Sequence, residues 1–310
     1  MYTRDNTARQ RPRPRPGRRS RRGSVAEQLA SLAGRLTDRD RAMLHLVHEH
    51  RVFTSHQLGE AFFGPHDRAE HRLRDLADAE VLARFRPYRR HGEGSAPYHY
   101  VLGPMGAAVL AAEQGVEVRR LGYRPDKALE VAHSQRLAHT VGVNGFFTAL
   151  VAAARQHRAQ GARLVAWWSE RQCRDRWEPI VRPDGYGRWR EHDAEVDFFL
   201  EYDRGTEPLD RLAAKLAGYQ KLATVTQIPT PVLFWLPSSG REASVRQALA
   251  DERLWAAMPF LVATASPTLG RAPADQAWLP LGDTSPRQRL IDLADVDHRT
   301  SSAPPSPART

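Results

Sequence analysis

The sequence predicts a mixed protein of the α+β or α/β class with two folded regions. Over residues 37–114, three apolar helical stripes are followed by two short strand-like runs. Over residues 131–265, a long helix precedes three strands, a helix and a further strand. The length of 310 residues corresponds to about two domains, and the 41% hydrophobic content is enough for two cores.

The basic charge of the chain lies almost entirely in its first 24 residues. The formal net charge is +10, but residues 1–24 hold nine arginines and one acid, whereas the remainder has 37 bases and 35 acids. Alternating proline and repelling charges predict a disordered arm there. We expect this arm to bind phosphates without sequence preference, with a solubilising tail as the alternative. Residues 300–310 predict a second disordered end.

The cysteine and apolar patterns indicate an intracellular, cytoplasmic location. Cys173 is the only cysteine in the sequence, which excludes a disulfide framework and a cysteine-based metal cluster. No run reaches the roughly 18 consecutive apolar residues of a membrane span. The basic N-terminus is followed by no apolar core, so it does not read as a signal peptide.

Residues 37–114 predict a helical region closed by a hairpin. Capping residues and apolar stripes set the helix starts, and turn-rich residues separate the two strands. The predicted elements are a helix capped by Thr37, a helix capped by Ser55, a helix from about Asp67, strands at 81–85 and 98–102, and a helix from Pro104.

This order predicts a winged helix-turn-helix, in which the third helix enters the major groove of double-stranded DNA. Arginine can bond guanine bidentately, so we expect the third helix to read base edges and the hairpin loop to touch the backbone. The region holds 10 bases and 11 acids, so an ordinary solvated helix face is the alternative. The candidate DNA-binding residues are Arg68, His71, Arg72, Arg74, Arg89 and Arg90.

A linker over 115–130 is expected to lead into the second region, and residues 266–310 are expected to form a C-terminal extension that is disordered at its end. Between them, the apolar periodicity predicts alternating helices and strands. These are a helix at 133–158, strands at 163–169, 179–184 and 196–203, a helix at 208–223, a strand at 231–236, a helix at 241–257 and a strand at 260–264.

Three carboxylates are expected to gather on this second sheet. Glu201 and Asp203 are two residues apart on one strand and therefore share a face. If residues 185–195 form a hairpin loop, Asp184 can approach Glu201. Carboxylate oxygens suit Mg²⁺ or Mn²⁺, and such a metal lowers the pKa of its bound water. The alternative is that these acids bond arginines or backbone groups.

Pro183-Asp184 and Glu201-x-Asp203, in an α-β-β-β-α-β order, resemble the restriction-endonuclease-like PD-(D/E)xK fold. The resemblance implies that Asp184, Glu201 and Asp203 bind the metal and act in catalysis. Asp203 stands where that fold has lysine, and Lys215 on the following helix is expected to supply the cation instead.

Three segments, two of which contain the motifs just described, resemble the replication-relaxation family of bacterial plasmids and mobile elements, over about residues 37–265. They are 139–144, 182–185 and 199–207, the last followed by a helix through Lys215 and Tyr219. The resemblance implies a DNA-binding protein of plasmid replication or relaxation, with other plasmid replication or transfer proteins as further partners.

Two activities remain open at this point. One is a metal-dependent DNA endonuclease that nicks its substrate, and the other is a transcriptional regulator whose nuclease-like domain is inactive. His139 and Asn144, on the helix before the sheet, either face the acidic strand or serve the core.

Overall fold

The computed structural model describes residues 25–64, 66–88, 92, 94–249, 258–282 and 286–294. The chain divides into two units, one ending at Leu36 and the other beginning at Thr37. In the first unit, α1 spans Val25–Ala33. The expected basic arm, Arg89, Arg90 and the C-terminal end at 300–310 lie outside the described residues.

The second unit begins with a helical region, here residues 37–113. A three-stranded antiparallel sheet in the order β1-β3-β2 lies beside four helices. The elements in chain order are α2 Asp38–His50, β1 Phe53–Thr54, α3 Ser55–Phe62, α4 His66–Asp78, β2 Leu82–Phe85, β3 His99–Leu102 and α5 Pro104–Glu113.

Side-chain caps fix where the first two of these helices begin. The Thr37 hydroxyl accepts from the Asp40 amide and the Asp40 carboxylate bonds back, a capping box at the start of α2. The expected cap of α3 at Ser55 is wrong by one residue. Thr54 has the extended backbone of a cap and forms the capping box with Gln57, so Ser55 is already helical.

The expected linker at 115–130 contains regular structure. A 3₁₀ turn spans Val118–Leu121, α6 spans Pro125–Glu130 and a second 3₁₀ turn spans Val131–His133. Gly122 ends the first turn with φ +69°, a left-handed conformation that suits glycine.

The sheet region, here residues 137–294, holds a six-stranded sheet in the order β4-β5-β6-β7-β8-β9. β4, β5 and β6 are antiparallel, β6, β7 and β8 are parallel, and β9 is antiparallel to β8. The elements are α7 Leu137–Gln156, β4 Arg163–Ser169, α8 Glu170–Trp177, β5 Gly185–Glu191, β6 Ala194–Tyr202, α9 Leu209–Thr226, β7 Val232–Trp235, α10 Ser239–Ala248, β8 Val262–Ala265 and β9 Leu279–Pro280; short 3₁₀ turns lie at Arg158–Gln160, Pro267–Leu269 and Ile291–Ala294.

The expected strand at 179–184 and hairpin loop at 185–195 are wrong, because the strand is β5 and only two residues separate it from β6. Proline lacks the amide that a central strand needs, which disfavours a strand across Pro179 and Pro183. Glycine in β5 serves packing: a Cβ at Gly187 would lie 2.3 Å from the Phe198 ring. The helix α8 is absent from the sequence prediction, because it has one buried residue and no apolar stripe.

The two faces of the sheet carry separate cores. Phe198, Leu200 and Tyr202 face α7, whereas Phe199 packs against α9, so the expected alternation along β6 is confirmed. The C-terminal extension contributes to the α7-side core, where Trp278 is fully buried.

The helix α7 is long and apolar enough, by length and composition alone, to cross a membrane. The core helix of a folded domain passes the same test. In the structure, Phe146, Phe147 and Leu150 of α7 are buried in the core on one face of the sheet.

Candidate functional site

Glu201 is the centre of an acid–base network on the α9 side of the sheet. β6 carries it, and its side chain is 2% exposed. One carboxylate oxygen accepts from Lys215 Nζ at 2.8 Å, and the other from the Tyr219 hydroxyl at 2.5 Å. Lys215 and Tyr219 are four residues apart on α9 and therefore share a face. Lys215 also contacts Glu207 at 3.0 Å. The structure thus brings Lys215 to Glu201, as expected.

Burial and neighbouring charge shift the ionisation of this network. Burial, followed by the charge of Asp184, raises the pKa of Glu201 to about 7 against the opposing effects of Lys215 and Tyr219. Burial alone would lower the pKa of Lys215, but the carboxylates of Glu201 and Asp184 outweigh it and raise that pKa. Burial and Glu201 likewise raise the pKa of Tyr219. The network therefore retains its protons more strongly than the separate side chains would.

Asp184 lies directly before β5 and next to Glu201. Its amide donates to the Leu200 carbonyl at 3.1 Å, which continues the β5–β6 pairing by one residue. One of its carboxylate oxygens accepts from the Tyr202 amide at 2.8 Å, and the other lies 3.0 Å from His139 Nε2. The second contact joins the acid to α7.

His139 is held at this position by a close approach of α7 to β6. A Cβ at Gly142 would lie 2.3 Å from the Tyr202 ring, so glycine is needed there. Burial lowers the pKa of His139, but the hydrogen bond and charge of Asp184 outweigh burial and raise it. His139 thus contacts the acid that precedes β5, and it meets β6 through the edge of the Tyr202 ring.

Asp203 belongs to a different set of contacts. One of its carboxylate oxygens bonds Arg241 Nε at 2.6 Å, and the other accepts from the Gly205 amide at 2.7 Å. Arg241 also donates to the Glu207 carbonyl. This arrangement fixes the turn after β6. Sequence reasoning missed Arg241, because 38 residues separate it from Asp203.

The three carboxylates expected to bind a metal are already engaged by protein groups. Both oxygens of each of Asp184, Glu201 and Asp203 have a hydrogen-bonding partner within the protein. Within the described residues, no group of three or more His, Cys, Asp or Glu side chains could hold a metal ion. The residues as arranged do not fit the expected Mg²⁺ or Mn²⁺.

The helix α4 presents a second candidate site. Arg68, His71 and Arg74 are exposed. Arg72 is turned inward instead, with Nε 3.1 Å and Nη2 2.6 Å from the two oxygens of Asp40, which is fully buried. Burial raises the pKa of Asp40, but hydrogen bonds from Arg72 and Thr37 outweigh it and lower that pKa. The geometry corrects the expectation for Arg72, which joins α4 to α2.

The β2–β3 hairpin adds two arginines that sequence reasoning missed. The guanidinium carbons of Arg84 and Arg86 lie 4.7 and 4.0 Å from the centroid of the Tyr98 ring, a stacked cation–π arrangement. The available signal in the sequence is the alternate spacing of Arg84 and Arg86 together with the aromatic residues at 98–100 on the returning side of the hairpin. Tyr88, further along the hairpin, is 90% exposed.

Buried polar contacts join the helical region to the sheet region. Asn144 Nδ2 donates to the carbonyls of His50 and Val52 at 3.1 and 2.7 Å. The His50 ring packs on Trp167 in a tilted arrangement, with the centroids 4.0 Å apart. Burial, followed by the charge of Arg171, lowers the pKa of His50 to about 3, so the ring is neutral at physiological pH. Asn144 therefore ties the two regions together through its side-chain amide.

Comparison with known proteins gives the family. The model of the replication-relaxation family matches residues 44–233, more than half of the chain. The chain therefore belongs to the replication-relaxation family, which indicates a function related to plasmid replication or relaxation. The match spans most of the helical region and the sheet as far as β7. No curated protein and no solved structure matches the chain.

Proposed function

We propose that this protein binds double-stranded DNA through α4 during plasmid replication or relaxation. The observation that carries the proposal is a pair of exposed arginines on α4, a helix whose exposed surface also carries acids. Ala69, Leu73 and Leu76 are buried, while Arg68 and Arg74 are exposed, on the side of α4 away from that apolar stripe by helical periodicity.

The arrangement of the helical region supports a winged helix-turn-helix. Its elements follow the order helix, strand, helix, helix, strand, strand, and the last two strands form a hairpin. In helix-turn-helix proteins the recognition helix lies in the major groove. The position of α4 suits that role, and the stacked Arg84 and Arg86 suit phosphate contacts made by the hairpin.

Among the described residues, the exposed arginines of α4 differ from the charged residues of the acid–base network in having no ion-pair partner. In the described part of the chain, Arg68 and Arg74 form no salt bridge, so their guanidinium groups are available to guanine or phosphate.

The sheet region supports a second part of the proposal. The order α7-β4-β5-β6-α9-β7, with α8 inserted, supports a restriction-endonuclease-like arrangement. The occupied carboxylate oxygens favour the alternative in which this region does not cut DNA. In our proposal Asp184, Glu201 and Lys215 stabilise the fold that carries the DNA-binding helix. Metal-dependent nicking stays a prediction from the sequence.

The test is a titration of the full chain with a fluorescent duplex at several salt concentrations. The double variant Arg68→Ala/Arg74→Ala should bind more weakly, and the slope of log affinity against log salt should fall by about 0.9 for each lost phosphate contact. The matched control is Arg119→Ala/Arg120→Ala, which removes two exposed arginines outside α4. Equal affinities and slopes for the two double variants would contradict the proposal.

A further inference from the structure

A basic cleft lies between the helical region and the segment that leads to α7. Its volume is about 620 Å³. The end of α2, the end of β3 and residues 121–134 line it, together with Arg171 of α8. None of these residues belongs to α4.

Positively charged side chains outnumber carboxylates in the lining of this cleft. Four basic side chains face two carboxylates, Glu49 and Glu130. Glu49 is already engaged by Ser169 and Arg171. Among the described residues, the other three bases form no salt bridge and are exposed; they are Arg51, Arg124 and Lys127.

Two aromatic side chains lie beside these basic residues in the cleft. Tyr123 and His48 both line the cleft and are partly exposed. A groove that combines positive charge with aromatic rings is the usual arrangement for single-stranded nucleic acid, because every unpaired base offers a ring face for stacking. A lysine such as Lys127 suits phosphate as a compact point charge.

A second cavity, of about 210 Å³, adjoins the first. The two share several lining residues, including Arg51, Val131, Ser134 and Arg171. The second cavity reaches His139 and Asp184. The cleft therefore leads from the exposed side chains of Arg124 and Lys127 towards the edge of the acid–base network.

We propose that this cleft binds one unpaired DNA strand, with its phosphates on Arg124 and Lys127 and its bases beside Tyr123. The inference rests on the proposed function in taking DNA as the partner. It adds a second mode of binding: α4 offers a convex helix face to the groove of a duplex, whereas the cleft is concave and encloses a single backbone. A strand exposed during plasmid replication or relaxation has this chemistry.

The test uses the full chain and a fluorescent oligothymidylate of about 16 nucleotides, the upper size of a single-strand site. The double variant Arg124→Glu/Lys127→Glu should bind it about tenfold or more weakly, with a salt slope smaller by about 1.4, which is 0.7 for each lost phosphate contact. The matched control is Arg119→Glu/Arg120→Glu, with the same charge change on the neighbouring 3₁₀ turn, outside the cleft. It should bind like the unmodified chain, and equal melting temperatures establish that both variants fold.

Several outcomes would overturn the inference. They are an unmodified chain that does not bind the oligonucleotide, an equal loss in the cleft variant and the control, or a larger loss for a duplex than for the single strand. The variant Arg68→Ala/Arg74→Ala separates this inference from the proposed function. It should lose duplex affinity and retain single-strand affinity, whereas intact duplex binding in that variant would reject the role of α4 and leave the cleft in place.

Discussion

The helical region and the sheet region use their charged residues in opposite ways. On α4, Arg68 and Arg74 are exposed and, among the described residues, form no salt bridge. In the sheet region, Glu201 and Asp203 are buried, and each is bonded to a cation and to a further donor. The sequence indicates both groups as candidate binding residues, but only the exposed arginines of α4 remain available to another molecule.

The difference follows from the cost of burying a charge. A carboxylate removed from water must be paired and hydrogen-bonded, so the sheet supplies Lys215, Tyr219 and Arg241 to its acids. Charges on a helix surface remain solvated and carry no such requirement. Arg72 shows the rule within α4 itself, because the buried Asp40 engages it. An ionisable residue is therefore a better candidate for recognition when the protein leaves it without a partner.

The largest expected effect comes from unpairing the buried acid. Lys215→Met should lower the free energy of unfolding by about 3 kcal/mol, because Glu201 would keep its burial and lose its cation. Chemical denaturation monitored by tryptophan fluorescence measures this loss. The control is Lys221→Met, an exposed lysine on the same helix, and adding Glu201→Gln to Lys215→Met should restore part of the stability. Equal stabilities for the two single variants would show that the network does not support the fold.

A smaller effect is expected within α4. Arg72→Ala should cost about 2 kcal/mol of stability, because the buried Asp40 carboxylate loses its cation but keeps the hydrogen bonds that the Thr37 amide and hydroxyl donate to it. Arg74→Ala should change stability by less than about 0.5 kcal/mol. Thermal denaturation of the two variants checks the pair. If Arg74→Ala proved the more destabilising of the two, the assignment of Arg72 to the core and Arg74 to the surface would be wrong.

The smallest expected effect lies at the junction of the two regions and depends on pH. The pKa of His50 in the folded protein, about 3, lies below the value of about 6.5 for an unfolded chain. Because the fold favours the neutral ring, the contribution of His50 to the free energy of unfolding is complete above about pH 6.5. It is lost as the pH falls from there towards 3. Between pH 7.5 and pH 6 this amounts to about 1 kcal/mol.

His50→Gln removes this titration and should flatten the dependence of stability on pH in that range. Urea denaturation at the two pH values measures the difference, with the exposed His133→Gln as the control. An unaltered dependence in His50→Gln would mean that the His50 ring is accessible to protons in the folded protein.

The helical region could be predicted well, because its signals are local. Thr37 and its following acids identify the start of α2, and regular apolar spacing identifies α4 and β2. The alternation along β6 likewise identifies which residues share a face, and the resemblance to the PD-(D/E)xK fold indicates Lys215 on the next helix as the cation.

The remaining contacts depend on distant parts of the chain. The glycines of β5 resemble a loop in sequence, and only the packed Phe147 and Phe198 rings explain them. Arg241 reaches Asp203 from a later helix, and Asp40 engages Arg72 from an earlier one. No local pattern distinguishes Arg72 from Arg74, since their difference is set by which side chain faces α2.

The most direct test of the central claim is a selection of bound sequences from a randomised duplex library, comparing the unmodified chain with Arg74→Ala. If α4 reads base edges, the unmodified chain should enrich a defined motif, and Arg74→Ala should relax one position of it, at a cost of about 1–3 kcal/mol in discrimination. Arg86→Ala on the hairpin, the matched control for a phosphate contact, should weaken binding to all sequences alike. An identical motif from the unmodified chain and from Arg74→Ala, or no motif from either, would contradict the account.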